Sequence, residues 1–257
     1  MNEPTEDEHN YSTKPYRTPD GAPTDIAMFT ITSEEKPGAK KALPIRQLKV
    51  MLIRRRKWPF EGKWALPGGF TRPTETVQQC AERELLEETG VANVHLEYFQ
   101  VYSSPGRDPR GWMISHAFVA LVQEQALEGR QTSEEASEVR LVPVEEALAM
   151  ELAFDHRDIL GDALARIRQL MMTTTIAKAF LPELFTISEL YQVIQTVVPT
   201  FEEKNFIRKV TSTQSRQGIL EEARGEDGSP LLSNRYSQRP AQLYRFTDYA
   251  PELSIYG

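Results

Sequence analysis

Between Gly69 and Val91 the chain reads GFTRPTETVQQCAERELLEETGV, and the charge spacing in this segment constrains the chain more than anything else in it. No glycine or proline interrupts Glu75 to Thr89, Pro73-Thr74 supplies a capping hydroxyl before it, and Gly90 follows it. The pattern predicts a helix over 75–89, capped at Thr74, with the Glu75 carboxylate in a first turn whose dipole suits it. Gly90 is expected as its C-terminal cap. On such a helix Glu84 and Glu88, four apart, lie one above the other and repel. Glu87 adds a third carboxylate. Arg83 is spaced to pair with Glu87, but no cation stands four residues from Glu84 or Glu88. An oxygen-only cluster of this kind suits a hard divalent cation, Mg²⁺ or Mn²⁺, that bridges to substrate phosphates. The ordinary alternative is a solvated acidic helix face. Val77, Ala81 and Leu85 share one stripe and are expected in the core.

The order Gly69, Glu75, Arg83-Glu84-Leu85, Glu87-Glu88, Gly90-Val91 has the full spacing of the Nudix box, and the chain resembles the Nudix hydrolases. The resemblance implies cleavage of a nucleoside diphosphate linked to another moiety. Glu84, Glu87 and Glu88 would then be catalytic together with Arg83 and Glu75, the last fixing Arg83 or the loop. It also implies Gly68, through its carbonyl, with Glu84 and Glu88 as metal ligands. A catalytic base outside the box is common in ADP-ribose-hydrolysing members; Glu134, Glu135 and Glu138 are candidates here, and a solvated loop is the competing reading.

The chain has 257 residues, 40% of them apolar, and a net charge of −7, which describes an ordinary globular protein of one large or two small domains. That charge argues against a general nucleic-acid binder while leaving room for a local basic face. The polar, acidic N-terminus has no apolar signal region, no run is long enough to span a membrane, and the one cysteine, Cys80, is expected in the core. The expectation is a cytoplasmic protein without a membrane partner.

Residues 1–22 are expected to be a mobile tail. Buried strands are expected at 26–31 and 48–53 with a Lys/Gly/Pro-rich loop between them, and further strands at 94–102, 113–122 and 139–142. A helix follows Pro143, another covers 155–172, and together these elements predict an α/β Nudix sandwich, a mixed sheet with helices, over 23–172. A second unit, 173–257, opens with Thr186-x-x-Glu189 and Thr200-x-x-Glu203, two capping-box patterns that predict helices at 187–197 and 201–215. A strand around 218–224 and another at 243–246 would complete a winged helix-turn-helix domain.

This plan resembles the Nudix-related transcriptional regulators of NAD metabolism, which join a Nudix domain to a C-terminal winged helix. Local matches are Arg54–Phe70, the stretch Arg107-Asp108-Pro109-Arg110-Gly111-Trp112, and LAFDH at Leu152–His156, which marks the end of the Nudix part. The resemblance implies that Arg107 and Arg110 line an ADP-ribose site, against the alternative of a solvated loop tip. Phe70 and Trp112 would stack on a base or belong to the core, and His116 is expected to be structural. For DNA, Lys204, Arg208 and Lys209 on a recognition helix and Arg235 and Arg239 on a wing would meet an operator. Gln238 stands where the family usually has glycine. From 173 to 257 there are 9 Lys/Arg against 10 Asp/Glu, a net of −1, so only the recognition helix and wing carry positive charge.

Three functions remain open on sequence. One is a metal-dependent hydrolase of ADP-ribose or a close relative. Another is a homodimeric regulator of NAD or sugar metabolism that senses such a nucleotide and hydrolyses it slowly or not at all. The last is a housekeeping enzyme for damaged nucleotides whose C-terminal domain only pairs protomers.

Overall fold

The computed structural model describes residues 18–38, 41–90, 94–127, 136–202, 204–212, 218–237 and 239–249, without the side chains of Glu88 and Thr89. Two long strands begin the fold, β1 (Thr24–Glu34) and β2 (Ile45–Arg55), followed by the short β3 (Trp64–Ala65). Helix α1 (Val77–Thr89) leads to β4 (His95–Tyr102), β5 (Ser115–Gln123) and β6 (Ala136–Pro143). The strands form one mixed sheet ordered β3-β2-β1-β5-β4, with β6 also on β2; β1 and β5 run parallel and the other pairs antiparallel. Both faces of the centre are covered, so IAMFTI is apolar without alternation while its side chains still divide by the period of two. Ile26 and Met28 join Phe118, Ala120, Ala81 and Leu85 under α1, and Val77 packs against them. Ala27, Phe29 and Ile31 join Val119, Leu121 and the second layer of helices.

That second layer is α2 (Val144–Ala149) and the longer α3 (His156–Thr173), whose Ile159, Leu160, Ala163, Leu164 and Ile167 are buried. The expected strands and helices of the first unit are all present within a few residues. Of the expected tail, 1–17 lie outside the described residues, and the described end of it differs. Asp20 donates its N–H to the Trp112 carbonyl at 2.8 Å, and the Ala22 carbonyl accepts from Thr71 at 3.0 Å, so 20–22 are pinned to the sheet by backbone hydrogen bonds.

Beyond α3 come a 3₁₀ turn, Ile176–Phe180, then β7 (Phe185–Thr186), α4 (Ile187–Val197) and α5 (Phe206–Val210). A small sheet follows from β8 (Leu220–Glu222), β9 (Leu232–Ser233) and β10 (Ala241–Phe246), with β10 pairing β7, β8 and β9. Thr186 and Glu189 form the expected capping box. The expected helix 201–215 is a correction. Glu203 and 213–217 lie outside the described residues, and the helix that is described begins at Phe206, after Asn205 in the left-handed region with φ 68°. Aromatic packing outweighs the capping pattern: Phe201 and Phe206 lie 5.3 Å from the Tyr191 ring, so the chain turns between them to bury both. β7, too short to show a periodicity, was not legible either.

The two units share one apolar cluster, from Phe29 and Leu164 to Val193, Phe206 and Leu220. Polar contacts cross the same seam: Arg46 Nη1 donates to the Glu189 carbonyl at 3.3 Å, Gln192 Nε2 to the Pro44 carbonyl at 2.5 Å, and Arg168 Nε to the Val197 carbonyl at 3.1 Å. No helix among the described residues is long and apolar enough to cross a membrane. Replacing Phe206 by alanine should cost about 3 kcal/mol or more, as loss of a buried aromatic does. Urea denaturation would report this as a lower midpoint.

Candidate functional site

The Pro67-Gly68-Gly69 turn is stitched to the start of β1, with Ile26 N–H on the Pro67 carbonyl and Thr24 N–H on the Gly69 carbonyl, both at 2.8 Å. Glycine is required at Gly68, and at Gly69 it leaves the space that a carboxylate fills. At Gly68, φ is +151° and a Cβ would lie 2.0 Å from the Thr24 carbonyl oxygen; at Gly69 it would lie 2.1 Å from Glu84 Oε1. The turn thus packs backbone directly against the Glu84 carboxylate, which is buried.

Helix α1 starts later than its sequence suggests. Its cap is Thr76, in a capping box with Gln79, and no acidic residue occupies its first turn. Glu75 precedes the helix, accepting from Arg72 N–H at 2.9 Å and from Arg83 at 2.7 and 3.0 Å. Gly90 caps the far end at φ 71°, as expected. Arg83 is the hub of the acidic face. Besides Glu75 it reaches Glu84 at 2.5 Å and Glu87 at 3.1 Å. No cation stands four residues from Glu84, as expected, but one reaches it from next door: the Arg83 guanidinium folds back over its own helix and meets a sequence neighbour that spacing rules place on another face. The Arg83 hydrogen bond, with Arg72 helping, pushes the Glu75 carboxyl down to about 2. Arg72 lies 3.7 Å from Glu87, so three carboxylates share two guanidiniums, and the surplus negative charge among hard oxygen donors suits a divalent cation. The Glu88 side chain lies outside the described residues, and among those described no three ligating side chains are arranged around an ion.

Beside the turn opens a cavity of about 170 Å³ lined by Gly68, Gly69 and Phe70, the cations Arg55, Arg56, Lys57, Arg107 and Arg110, and also Asp25, Phe154 and His156. Arg107, almost wholly buried, holds Asp155 at 2.6 Å and Asp25 at 3.1 Å. Asp25 accepts in addition from Ser115 Oγ at 2.6 Å and faces His156 Nε2 at 3.2 Å. His156 Nδ1 accepts the Leu66 N–H at 2.8 Å, which assigns the ring proton to Nε2, toward Asp25. Burial alone would raise the Asp25 carboxyl, but His156, Arg107 and Ser115 outweigh it and hold the group well below the usual carboxylate range.

The other expected residues fall in different places. Arg110 is clamped on Asp108 at 2.6 Å and lies over the Phe70 ring. Trp112 is outside the cavity lining, its N–H on Asp20 Oδ2 at 2.7 Å. His116 is half-buried on β5. Glu138 stands on β6, paired with Arg140 at 2.6 Å, while Glu134 and Glu135 lie outside the described residues. Lys204 is exposed just ahead of α5, and Arg208 and Lys209 are in its last turn. Arg235, stacked on Tyr236, and Arg239 are exposed between β9 and β10; Gln238 between them is not among the described residues. Sequence reasoning missed Asp25, Arg55, Phe154, Asp155 and His156. LAFDH held the signal for three of them, an acid and a histidine directly after an apolar run.

Residues 40–162 match the model of the NUDIX domain, and residues 177–246 that of the NrtR DNA-binding winged helix domain. The ADPR responsive transcriptional repressor NtrR of Acinetobacter baylyi is 36% identical over 203 residues, 78% of this chain and 76% of that protein. The chain belongs to the NrtR family of Nudix-domain regulators. The crystal structure of Shewanella oneidensis NrtR complexed with a 27mer DNA covers 91% of this chain and 98% of that one, with a TM-score of 0.70 and 28% identity. The ADP-ribose pyrophosphatase of Methanocaldococcus jannaschii is 41% identical over 116 residues, 44% of this chain and 64% of that enzyme. The NrtR-type winged helix thus accompanies a Nudix domain with a complete box.

Two outcomes are expected. Gly69→Ala should displace the Glu84 carboxylate and weaken any function that needs it, while thermal denaturation still reports a folded chain. The Glu75 pKa is depressed, so its ion pair stabilises the fold above the ordinary carboxylate value of 4.5 and loses that effect as pH falls toward about 2. Carboxyl ¹³C NMR should find Glu75 titrating near 2 in the parent chain and close to 4.5 in Arg83→Gln.

Proposed function

We propose that this chain is a homodimeric repressor whose Nudix domain binds ADP-ribose and whose winged helix binds operator DNA. The likeness to the A. baylyi repressor through both domains carries this reading. The cavity supports it, because five cationic side chains beside glycine backbone suit a diphosphate. Arg107 is fixed by Asp155 and Asp25, so it offers the ligand a guanidinium already oriented. Arg55 at the end of β2 and Arg56 and Lys57 just after it supply further charge. On the DNA side Lys204, Arg208 and Lys209 would meet the major groove and phosphates, with Arg235 and Arg239 on the wing. Ligand binding would change how two winged helices of a dimer match half-sites one helical turn apart.

Slow hydrolysis of the same ligand, to AMP and ribose 5-phosphate, is the second part of the reading. Its support is the complete carboxylate set and the contact that seats Glu84 on Gly69. Gly68 through its carbonyl, Glu84 and Glu88 would hold Mg²⁺ or Mn²⁺. The chemistry that such a cation supplies is charge neutralisation at the diphosphate and a more acidic water. The chain's own part is positional: Arg83 and Glu75 hold Glu84 and Glu87 toward the turn, and the buried Asp25 network holds Arg107 at the cavity wall.

In gel shifts with DNA from upstream of its own gene, ADP-ribose should release the chain. Arg208→Ala with Lys209→Ala should weaken binding and reduce the salt slope by about 1 for each phosphate that is no longer neutralised. Unchanged affinity in that double variant would overturn the DNA assignment. AMP release from ADP-ribose with Mg²⁺ should disappear in Glu84→Gln while ADP-ribose still binds.

A further inference from the structure

We infer that Arg46, a residue of the first unit, is a contact to the DNA backbone, set beside Arg235 of the wing at the seam between the two units. The inference rests on the reading of the winged helix as the operator-binding part. It carries that interface across the domain boundary into the Nudix domain.

Arg46 is the second residue of β2 and stands opposite Ser33 of β1, at the closed end of their hairpin. Nine positions along the same strand separate it from Arg55 in the cavity wall, about 30 Å of extended chain. It therefore belongs to the far end of the sheet, against the winged helix. Its one hydrogen bond among the described residues runs from Nη1 to the Glu189 carbonyl at 3.3 Å, while Nε is buried without a partner. The Glu189 carboxylate is turned to its own capping box, accepting from Thr186 N–H at 2.8 Å and Thr186 Oγ1 at 2.9 Å. Arg46 is thus a half-buried cation that no carboxylate among the described residues pairs. A pin between the domains needs no charge: Gln192 makes the same kind of crossing, to the Pro44 carbonyl, with a neutral amide.

The wing brings a second cation to this corner. β10 pairs Leu243 with Thr186, just ahead of α4, and Ala241 with Ser233, two residues before Arg235. Arg235 is exposed, stacked on Tyr236, and it too lacks a carboxylate partner among the described residues. Burial pulls the Arg46 guanidinium below its usual value; Glu189 and Tyr236 oppose the shift, and Arg235 adds to it. Two guanidiniums left side by side without an acid call for an anion, and a phosphate oxygen suits their fork geometry. DNA is the source that the place favours, because the wing is where the backbone is expected to pass. The winged-helix unit also needs the help. It has 9 Lys/Arg against 10 Asp/Glu, and Arg224 and Arg245 are spent on Glu222 and Glu221.

The test is fluorescence anisotropy of the full chain over a chloride series in phosphate-free buffer. The probes are a duplex from upstream of its own gene and a scrambled duplex of equal length. Arg46→Gln keeps a donor for the Glu189 carbonyl and removes the charge. It should weaken both duplexes alike and lower the slope of log affinity against log salt by about 1 for each bound protomer, as loss of a phosphate contact does. Arg46→Lys keeps the charge and should keep the slope, which guards against a misfolded glutamine variant. A parental slope in Arg46→Gln would overturn the inference. Weaker operator binding at that parental slope would do the same and mark Arg46 as a pin between the domains. An equal fall in slope in the lysine and glutamine variants would also overturn it, since the charge would not be the cause. If the parent chain binds neither duplex, the DNA reading of the winged helix falls and this contact with it.

Discussion

Everything around the cavity depends on a buried charge network centred on Asp25. Its carboxylate on β1 meets Arg107 from the β4–β5 loop, Ser115 at the start of β5 and His156 at the start of α3, and His156 takes the N–H of Leu66 just before the glycine turn. Four separate stretches of chain are held to one another through a single side chain. Charges removed from water in this way persist only if each has its counterpart, and leaving one unpaired typically costs about 3–5 kcal/mol. The network therefore fixes where the glycine turn sits, and the turn fixes where Glu84 sits.

The acidic face of α1 obeys a different rule. There Arg83 is shared among Glu75, Glu84 and Glu87, Arg72 lies 3.7 Å from Glu87, and of the three carboxylates only Glu87 stands well out in solvent. Two guanidiniums do not neutralise three carboxylates, so the face keeps a surplus negative charge close to solvent, whereas the surplus of the Asp25 network is buried and hydrogen-bonded. Two acidic clusters a few residues from the same turn thus divide the work, one rigid and internally satisfied, the other ready for an external partner.

Much of this was legible from the residues. The strands from 26 to 53, the helix ending at Gly90 and the two-domain plan follow from apolar runs and punctuation. Arg83 with Glu87 follows from a spacing of four. Other features depended on contacts between distant parts of the chain, which local patterns do not encode. Asp25 looks like a polar residue ahead of an apolar strand, and only the folded sheet brings Arg107 to it. Thr200-x-x-Glu203 has the form of a helix start, yet the burial of Phe201 and Phe206 around Tyr191 delays the helix to Phe206. Thr74 and Thr76 are both acceptable caps on sequence. The hydrogen bonds of Glu75 with Arg72 and Arg83 place Glu75 outside the helix and leave the cap to Thr76.

Helix α3 belongs to both halves of the molecule. Its first residue, His156, contacts Asp25, and near its other end Arg168 holds the Val197 carbonyl at the close of α4. With 18 residues it is about 27 Å long, so a tilt of roughly 2° at the cavity end carries the far end about 1 Å. A displacement at the cavity end no larger than a side-chain adjustment would thereby become, at the end held to α4, a change in where the whole C-terminal unit sits.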